Sequence, residues 1–428
     1  YRMIRNFWVK NYLSIRDKQE LNFVAEERDS VLTEEVAEGV FLYKLAILYG
    51  SNASGKSNML IALNKVFHLL IQAKSNSKIP IGNVIPFALT ENEPTEMFVS
   101  FYANSIRYDY EVKFNKNNIL SEELYYYPND AKTLFYERKF VDENIQTEIR
   151  FGERLGLETE TQKDIRKDTL NNQSVLSVCR SKAYGKDIAP FNRLYDWIMI
   201  NYHDIDGDEK KGVVEILREA YNNPQKRKFY NIMLRKADLN ILEYKPIAED
   251  RYIQKSFRER IEKENIPQEV KDELLKPIQE SISFTNYSKN KEFEIPLKLQ
   301  SKGTTKYILI LEVLFDMITG SHVYYLDELG EDLHKDLLFY YLNVFLFNSE
   351  KSQLIITSQE TTLLSQDLIN ENRGVIWLVE KNRETASSEY FRGDSFGLDK
   401  DLSFYDSYSI GRLGAKPDLG SIFINLED

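Results

Sequence analysis

The chain has 428 residues, 42% of them hydrophobic and 29% charged, with a formal net charge of −11. Such a chain folds, and is long enough for two or three domains or for one domain carrying a large insertion. The acidic balance argues against a protein that coats duplex DNA with its whole surface, no apolar run reaches the roughly eighteen residues of a membrane span, and the single cysteine, Cys179, excludes an intrachain disulfide and a cysteine-based zinc site.

No signal-peptide layout precedes the first strands, so a cytoplasmic location is expected. Tyr1 and Arg2 precede Met3 and are left out of the expected fold. Residues 3–23 alternate apolar and polar side chains on either side of Asn11-Tyr12-Leu13-Ser14, predicting two strands joined by a short turn. Residues 43–49 read as a buried-strand run that feeds into a glycine-containing loop, and 58–71 are apolar at helical spacing. From 96 to 140 the period is two, predicting an antiparallel sheet. Between 152 and 290 the chain is more charged and reads as mostly helical, with Pro224 and Pro267 as breaks and Asp206-Gly207-Asp208 as a turn. Beyond it come a strand over 293–299, a helix over 305–319, and short apolar runs at 323–326, 354–357 and 375–378 separated by helical stretches. That alternation predicts a mainly parallel sheet with helices on its faces.

Gly50-Ser51-Asn52-Ala53-Ser54-Gly55-Lys56-Ser57 fits G-x-x-x-x-G-K-[ST] and stands between a strand and a helix. Residues 50–58 are therefore candidate ATP-binding residues. The glycines let backbone N–H groups wrap a phosphate, Lys56 brings charge to the β and γ phosphates, and Ser57 can ligate Mg²⁺. The alternative is a glycine turn that caps a helix. The strand 323–326 ends in Asp327 and Glu328: the first carboxylate can hold Mg²⁺ through water, and the second can polarise an attacking water. Ser301-Lys302-Gly303-Thr304 opens a helix and forms either a second anion site or simply an N-cap. Lys210, Lys211, Arg218, Lys226, Arg227, Lys228, Arg235 and Lys236 make a basic run that reads as a solvated face or as a contact for nucleic acid or an acidic partner. Glu111-Val112-Lys113 imitates part of a nuclease core but reads as a solvated strand.

The order of phosphate loop, long insertion, S-x-G-T helix and Asp-Glu strand resembles the ABC-type ATPase heads of the SMC and RecF kind. Asn11 to Ile15, Phe135 to Arg138, Leu234 to Ile241, Ser301 to Thr304, Asp327-Glu328 with Leu333-His334, and Gly411 to Pro417 narrow the resemblance. They look like the RloA/AbiL-type ATP-binding proteins, related to the ATPase half of OLD-family proteins and to the ATPases of the Septu and PARIS anti-phage systems. The resemblance implies an α/β fold: an ABC-type P-loop ATPase head with a mixed sheet and an antiparallel β subdomain, divided into 3–151 and 291–428 by a mainly helical insertion, 152–290.

It also implies ATP and Mg²⁺ as cofactors, with Ser57 and Asp327 at the metal and Lys56, Glu328 and Gln359 as catalytic residues. Ser301, Lys302, Gly303 and Thr304 would act in trans as the signature that closes on the γ-phosphate of a second copy. The implied role is an anti-phage switch, built as a head-to-tail homodimer or higher oligomer, with a separate effector. No TOPRIM nuclease is expected within the 428 residues, and their four histidines form no R-x-x-x-x-H motif. The family has a histidine where Gln359 stands; glutamine hydrogen-bonds but takes no proton, which implies slow hydrolysis. No glutamine leading to Mg²⁺ can be placed, since Gln72 ends a helix, and Arg16 is a weak candidate for touching the nucleotide. A RecF-like ATPase on DNA and an ATP-locked scaffold are the competing readings.

Overall fold

The computed structural model describes residues 2–26, 30–140, 147–181, 184, 186–201, 212–237, 239–250, 255–264, 266–275, 278–289, 291–399 and 401–416. The expected turn at 206–208, Lys210, Lys211, Asp238 and Pro417 lie outside them.

The sheet that carries the loop at 50–55 has five strands in the order Val323–Leu326, Gln353–Ser358, Leu45–Tyr49, Ile376–Lys381, Ser388–Arg392. The first four are mutually parallel and the last is antiparallel, so the sheet is mixed. Every residue of Leu45–Tyr49 is buried, as a central parallel strand covered on both faces requires. Gln353 is fully buried in the neighbouring strand; its amide oxygen accepts from Ile4 N–H at 2.8 Å, and its amide nitrogen donates to the Ile4 and Tyr43 carbonyls at 3.1 Å each. That one side chain saturates backbone groups of Ile4, in a second sheet, and of Tyr43, at the end of the strand Val40–Tyr43.

The second sheet is antiparallel and seven-stranded, in the order Thr147–Phe151, Thr133–Phe140, Ile119–Tyr126, Ile106–Phe114, Thr95–Ala103, Arg2–Lys10, Gln19–Asn22. The predicted N-terminal hairpin is its edge, and Asn11 and Leu13 take left-handed φ values of 55° and 51° in the turn. Glu122 and Arg138 face each other across two of its strands, both wholly buried. Glu122 also accepts from Val175 N–H at 2.8 Å and Tyr110 Oη at 2.9 Å, while Arg138 donates to the carbonyls of Gln173 and Leu170. Burial lowers the Arg138 pKa, and the Glu122 carboxylate opposes that effect.

Two compact units emerge from the residue contacts: 1–206 with 316–331 and 338–428, and 207–315 with 332–337. These boundaries differ from the expected 152 and 291. Residues 152–206 belong to the first unit because the Ala189–Asn201 helix buries Phe191, Leu194, Trp197 and Ile198 in its core, with Trp197 stacked 4.8 Å from Phe101. Residues 291–315 belong to the second unit through a three-stranded antiparallel sheet, Ile241–Asp250, Ile278–Ser288 and Lys291–Pro296. This sheet is absent from the expected, mainly helical insertion. Its pattern is masked by buried polar side chains: Ser283 and Thr285 are satisfied by donating to Glu294, at 2.5 and 2.9 Å. Pro246 sits on an edge strand, where its missing N–H costs little.

Pro224 breaks the chain as expected, by starting a helix. Asn223 caps Pro224–Lys236, its carboxamide oxygen accepting from the N–H groups of Gln225 and Lys226. Among the described residues no helix is long and apolar enough to cross a membrane.

Candidate nucleotide site

The buried strand Leu45–Tyr49 ends in the loop 50–55, and the helix Lys56–Ile71 begins at once. The helix is held down by an apolar face that includes Leu60, Leu63, Val66 and Leu70, with Phe67 edge-on to Phe101 at 5.5 Å. Gly55 is the N-cap at φ 108° and offers no side-chain cap; Asn58 N–H donates to the Gly55 carbonyl at 3.0 Å, and the N–H groups of Lys56 and Ser57 face the helix start where an anion binds. A Cβ at Gly55 would collide with Ser388 Oγ and come within 2.7 Å of Ser14 Oγ.

Those two serines belong to a polar seam that fixes the loop from outside. Ser388 Oγ donates to the Ser54 carbonyl at 2.5 Å, and Ser14 Oγ lies 2.7 Å from Ser388 Oγ. Asn58 donates to Ser14 Oγ at 2.7 Å, so its side chain supports the loop. Tyr390 Oη donates to the Gly55 carbonyl at 2.6 Å, and burial raises the phenol pKa, which keeps it a donor. Ser14, Ser388 and Tyr390 carry no local signature, because their role exists only once the strands at 2–22 and 388–392 flank the loop.

Lys56, 4% exposed, donates to the carbonyls of Gly50 and Ser51 at 3.0 and 3.2 Å. The ammonium is thereby held inside the ring of loop residues. Ser57 Oγ donates to Asp327 Oδ1 at 3.0 Å, so a hydroxyl and a carboxylate from distant segments meet as hard oxygen ligands suited to Mg²⁺. Thr357 Oγ1, at the end of the central strand Gln353–Ser358, donates to the same Oδ1 at 2.5 Å and accepts from Glu328 N–H at 2.7 Å. Glu328 adopts φ 50°, a left-handed conformation uncommon for a non-glycine residue. Gln359 Nε2 donates to Glu328 Oε2 at 2.7 Å. Thr357, which links Asp327 to Glu328, was not among the sequence candidates; its only advance signal is its place at the end of an interior strand beside the carboxylate pair.

Ser301-Lys302-Gly303-Thr304 lies in the second unit. Ser301 Oγ accepts from Thr304 N–H at 3.0 Å and so N-caps the helix Lys302–Thr319, which starts three residues before the expected Thr305. A Cβ on Gly303 would stand 2.7 Å from the Asp332 carbonyl, which explains the glycine by close backbone approach. Ser301 and Lys302 remain exposed.

Other candidates are accounted for locally. Arg16 binds Asp17 with its guanidinium at 2.7 Å, and Asp17 raises the Arg16 pKa. Gln72 is the C-cap of the 56–71 helix. Lys113 pairs with Glu96 at 3.3 Å, and Glu111 faces Glu123 across the sheet. In the basic run, Arg218 pairs with Glu280 and Lys226 with Glu312, while Arg235 donates to the Leu242 carbonyl and Arg227 covers the Tyr221 ring.

A family model described as "AAA domain, putative AbiEii toxin, Type IV TA system" matches residues 45–365. No curated protein matches the chain. Among solved structures it is similar to an SMC head domain from Thermotoga maritima, at 15% identity and TM-score 0.38 over 91% of this chain and 98% of that one. An SMC head bound to the C-winged helix domain of ScpA is 12% identical at TM-score 0.41, covering 92% and 99%. An SMC head with an extended coiled coil, bound to the C-terminal domain of ScpA derived from Pyrococcus furiosus, is 12% identical at TM-score 0.40, covering 97% and 100%.

Proposed function

The chain belongs to this AAA-domain family, and from that premise we propose that it is a cytoplasmic ATP-binding and ATP-hydrolysing switch of a bacterial anti-phage system that controls a separate effector. The observation that carries the reading is the hydrogen-bonded run Ser57–Asp327–Thr357–Glu328–Gln359, which joins the phosphate loop to the ends of two neighbouring strands. A toxin–antitoxin pairing in the family's description supports a second chain as effector.

Residues 50–57 hold the triphosphate, with Lys56 neutralising its terminal charge and the helix N-terminus aimed at it. Ser57 and Asp327 hold Mg²⁺, which supplies Lewis-acid stabilisation of the phosphoryl oxygens when bound. Thr357 fixes the Asp327 carboxylate through its hydroxyl and the Glu328 backbone through its oxygen. Glu328 positions the attacking water and receives its proton. Ser301 to Thr304, presented at a helix start, serve the γ-phosphate of a second copy, so the active form is a head-to-tail pair. The second unit is the part available to an effector.

The test is a phage challenge with the neighbouring effector gene present, alongside phosphate release by the purified protein. Lys56→Ala and Glu328→Gln are expected to abolish protection; protection by both variants would end this reading. A second reading, an ATP-locked scaffold, is favoured by the Gln359–Glu328 hydrogen bond, which occupies a lone pair that hydrolysis needs. It predicts that bound ATP survives for hours in a single-turnover experiment. A DNA-acting ATPase draws less support, because acidic partners engage Arg218 and Lys226. Salt-dependent, ATP-stimulated DNA binding would restore it.

A further inference from the structure

A cavity of about 550 Å³ opens beside Ser57 and Asp327 and follows the Lys56–Ile71 helix to Lys74, with residues 81–85 as its opposite wall. Its size is that of a small-molecule site. Part of the lining is apolar, from Tyr12, Ile61 and Ile85, the two isoleucines being 41% and 54% exposed. The remainder includes Lys65 and Lys74. Lys65 is only 6% exposed, and its Nζ donates to the carbonyls of Gly82 at 2.5 Å and Ile81 at 3.5 Å. Lys74 Nζ donates to the same Ile81 carbonyl at 3.4 Å.

Two ammonium groups thus converge on one carbonyl oxygen, and among the described residues neither forms an ion pair with a carboxylate. Burial and the neighbouring Lys74 lower the Lys65 pKa to about 8, which leaves it mainly protonated at neutral pH. A buried ammonium held only by carbonyl oxygens has no counter-charge, which is costly and favours an anionic ligand. The Asp327 carboxylate at its rim is engaged by Ser57 and Thr357. A phosphate monoester carries about −1.5 to −2 at pH 7 and matches two lysines better than a monovalent carboxylate does.

We propose that this cavity is a second ligand site, separate from the triphosphate, that takes a small phosphorylated molecule. Its phosphate sits between Lys65 and Lys74, and its apolar body lies against Tyr12, Ile61 and Ile85. The wall of the cavity is tied to the phosphate loop: Tyr12 Oη donates to the Asn83 carbonyl at 2.9 Å, Leu13 N–H donates to the Ile85 carbonyl at 2.7 Å, and Ser14 contacts Ser388 and Asn58. An occupant therefore stiffens the segment that braces the nucleotide site.

The probe is phenyl phosphate, titrated calorimetrically into the full chain with Mg²⁺ and a non-hydrolysable ATP analogue at saturation, so that the phosphate loop is filled. Saturable binding is expected, at least tenfold tighter than that of benzoate. Lys74→Met should weaken it at least tenfold without moving the thermal midpoint, and Lys65→Met should abolish it. Lys74 is half-buried whereas Lys65 is buried, so Lys74→Met, checked by its unchanged thermal midpoint, decides the matter. Absence of saturable binding to the unmodified protein, affinity no better than for benzoate, or equal affinity in Lys74→Met overturns the proposal.

Discussion

The Gln359 amide donates to the Glu328 carboxylate at 2.7 Å, the group proposed to receive the proton of the attacking water. The amide occupies one lone pair of that carboxylate, and glutamine itself takes no proton. Replacing Gln359 with histidine supplies a group that titrates near neutrality. Steady-state phosphate release by Gln359→His is expected to rise roughly tenfold, whereas Glu328→Gln should keep ATP binding and lose about a hundredfold or more in turnover. Unchanged rates in Gln359→His would remove the argument from this pair.

Thr357→Val keeps shape and removes two hydrogen bonds. Asp327 then loses a donor, and the Glu328 N–H loses its acceptor in a left-handed turn. Stability should fall by about 1–3 kcal/mol, and Mg²⁺-dependent nucleotide affinity should fall with it. Denaturant titration and nucleotide titration with and without Mg²⁺ check the two effects separately.

Gly55→Ala is expected to abolish nucleotide binding. The new Cβ meets Ser388 Oγ and Ser14 Oγ, and φ 108° is strained for any L side chain. Ser388→Ala in the same chain relieves one contact but not the backbone strain, so fluorescent-nucleotide binding should stay lost in the double variant.

Glu122→Gln leaves the buried Arg138 charge without its counter-charge. A loss of about 3–5 kcal/mol is expected in chemical denaturation, larger than for removing both charges together with Arg138→Met. Equal losses from the single and double changes would show that the pair contributes through shape alone.

The Lys65 pKa is lowered to about 8 from its ordinary value of 10.5. Between those values the unfolded chain binds more protons than the folded one, so the contribution of this group to stability rises with pH. Stability of the unmodified chain relative to Lys65→Met should therefore increase from pH 7.5 to about pH 9.5, before the tyrosines titrate. A flat difference would contradict the burial of the charge.

The loop at 50–55 between its strand and helix, and the strand that ends at Asp327-Glu328, were legible in the sequence because each is a local device. A run of apolar residues fixes a buried strand, two glycines and a lysine at set spacing fix an anion loop, and a helix follows from its own period. The order of such segments predicted a mainly parallel sheet and a separate antiparallel one; the mixed character of the first sheet was implied by the resemblance. Tertiary structure alone decided that Ser14 and Ser388, 374 positions apart, meet over Gly55, that Thr357 joins Asp327 to Glu328, and that residues 152–206 pack with the head. Serine and threonine hydroxyls acquire such roles only from strand register and sheet order, which are set by contacts between distant segments. The same holds for Lys65 and Lys74, ordinary lysines in sequence, which the cavity wall brings to one carbonyl.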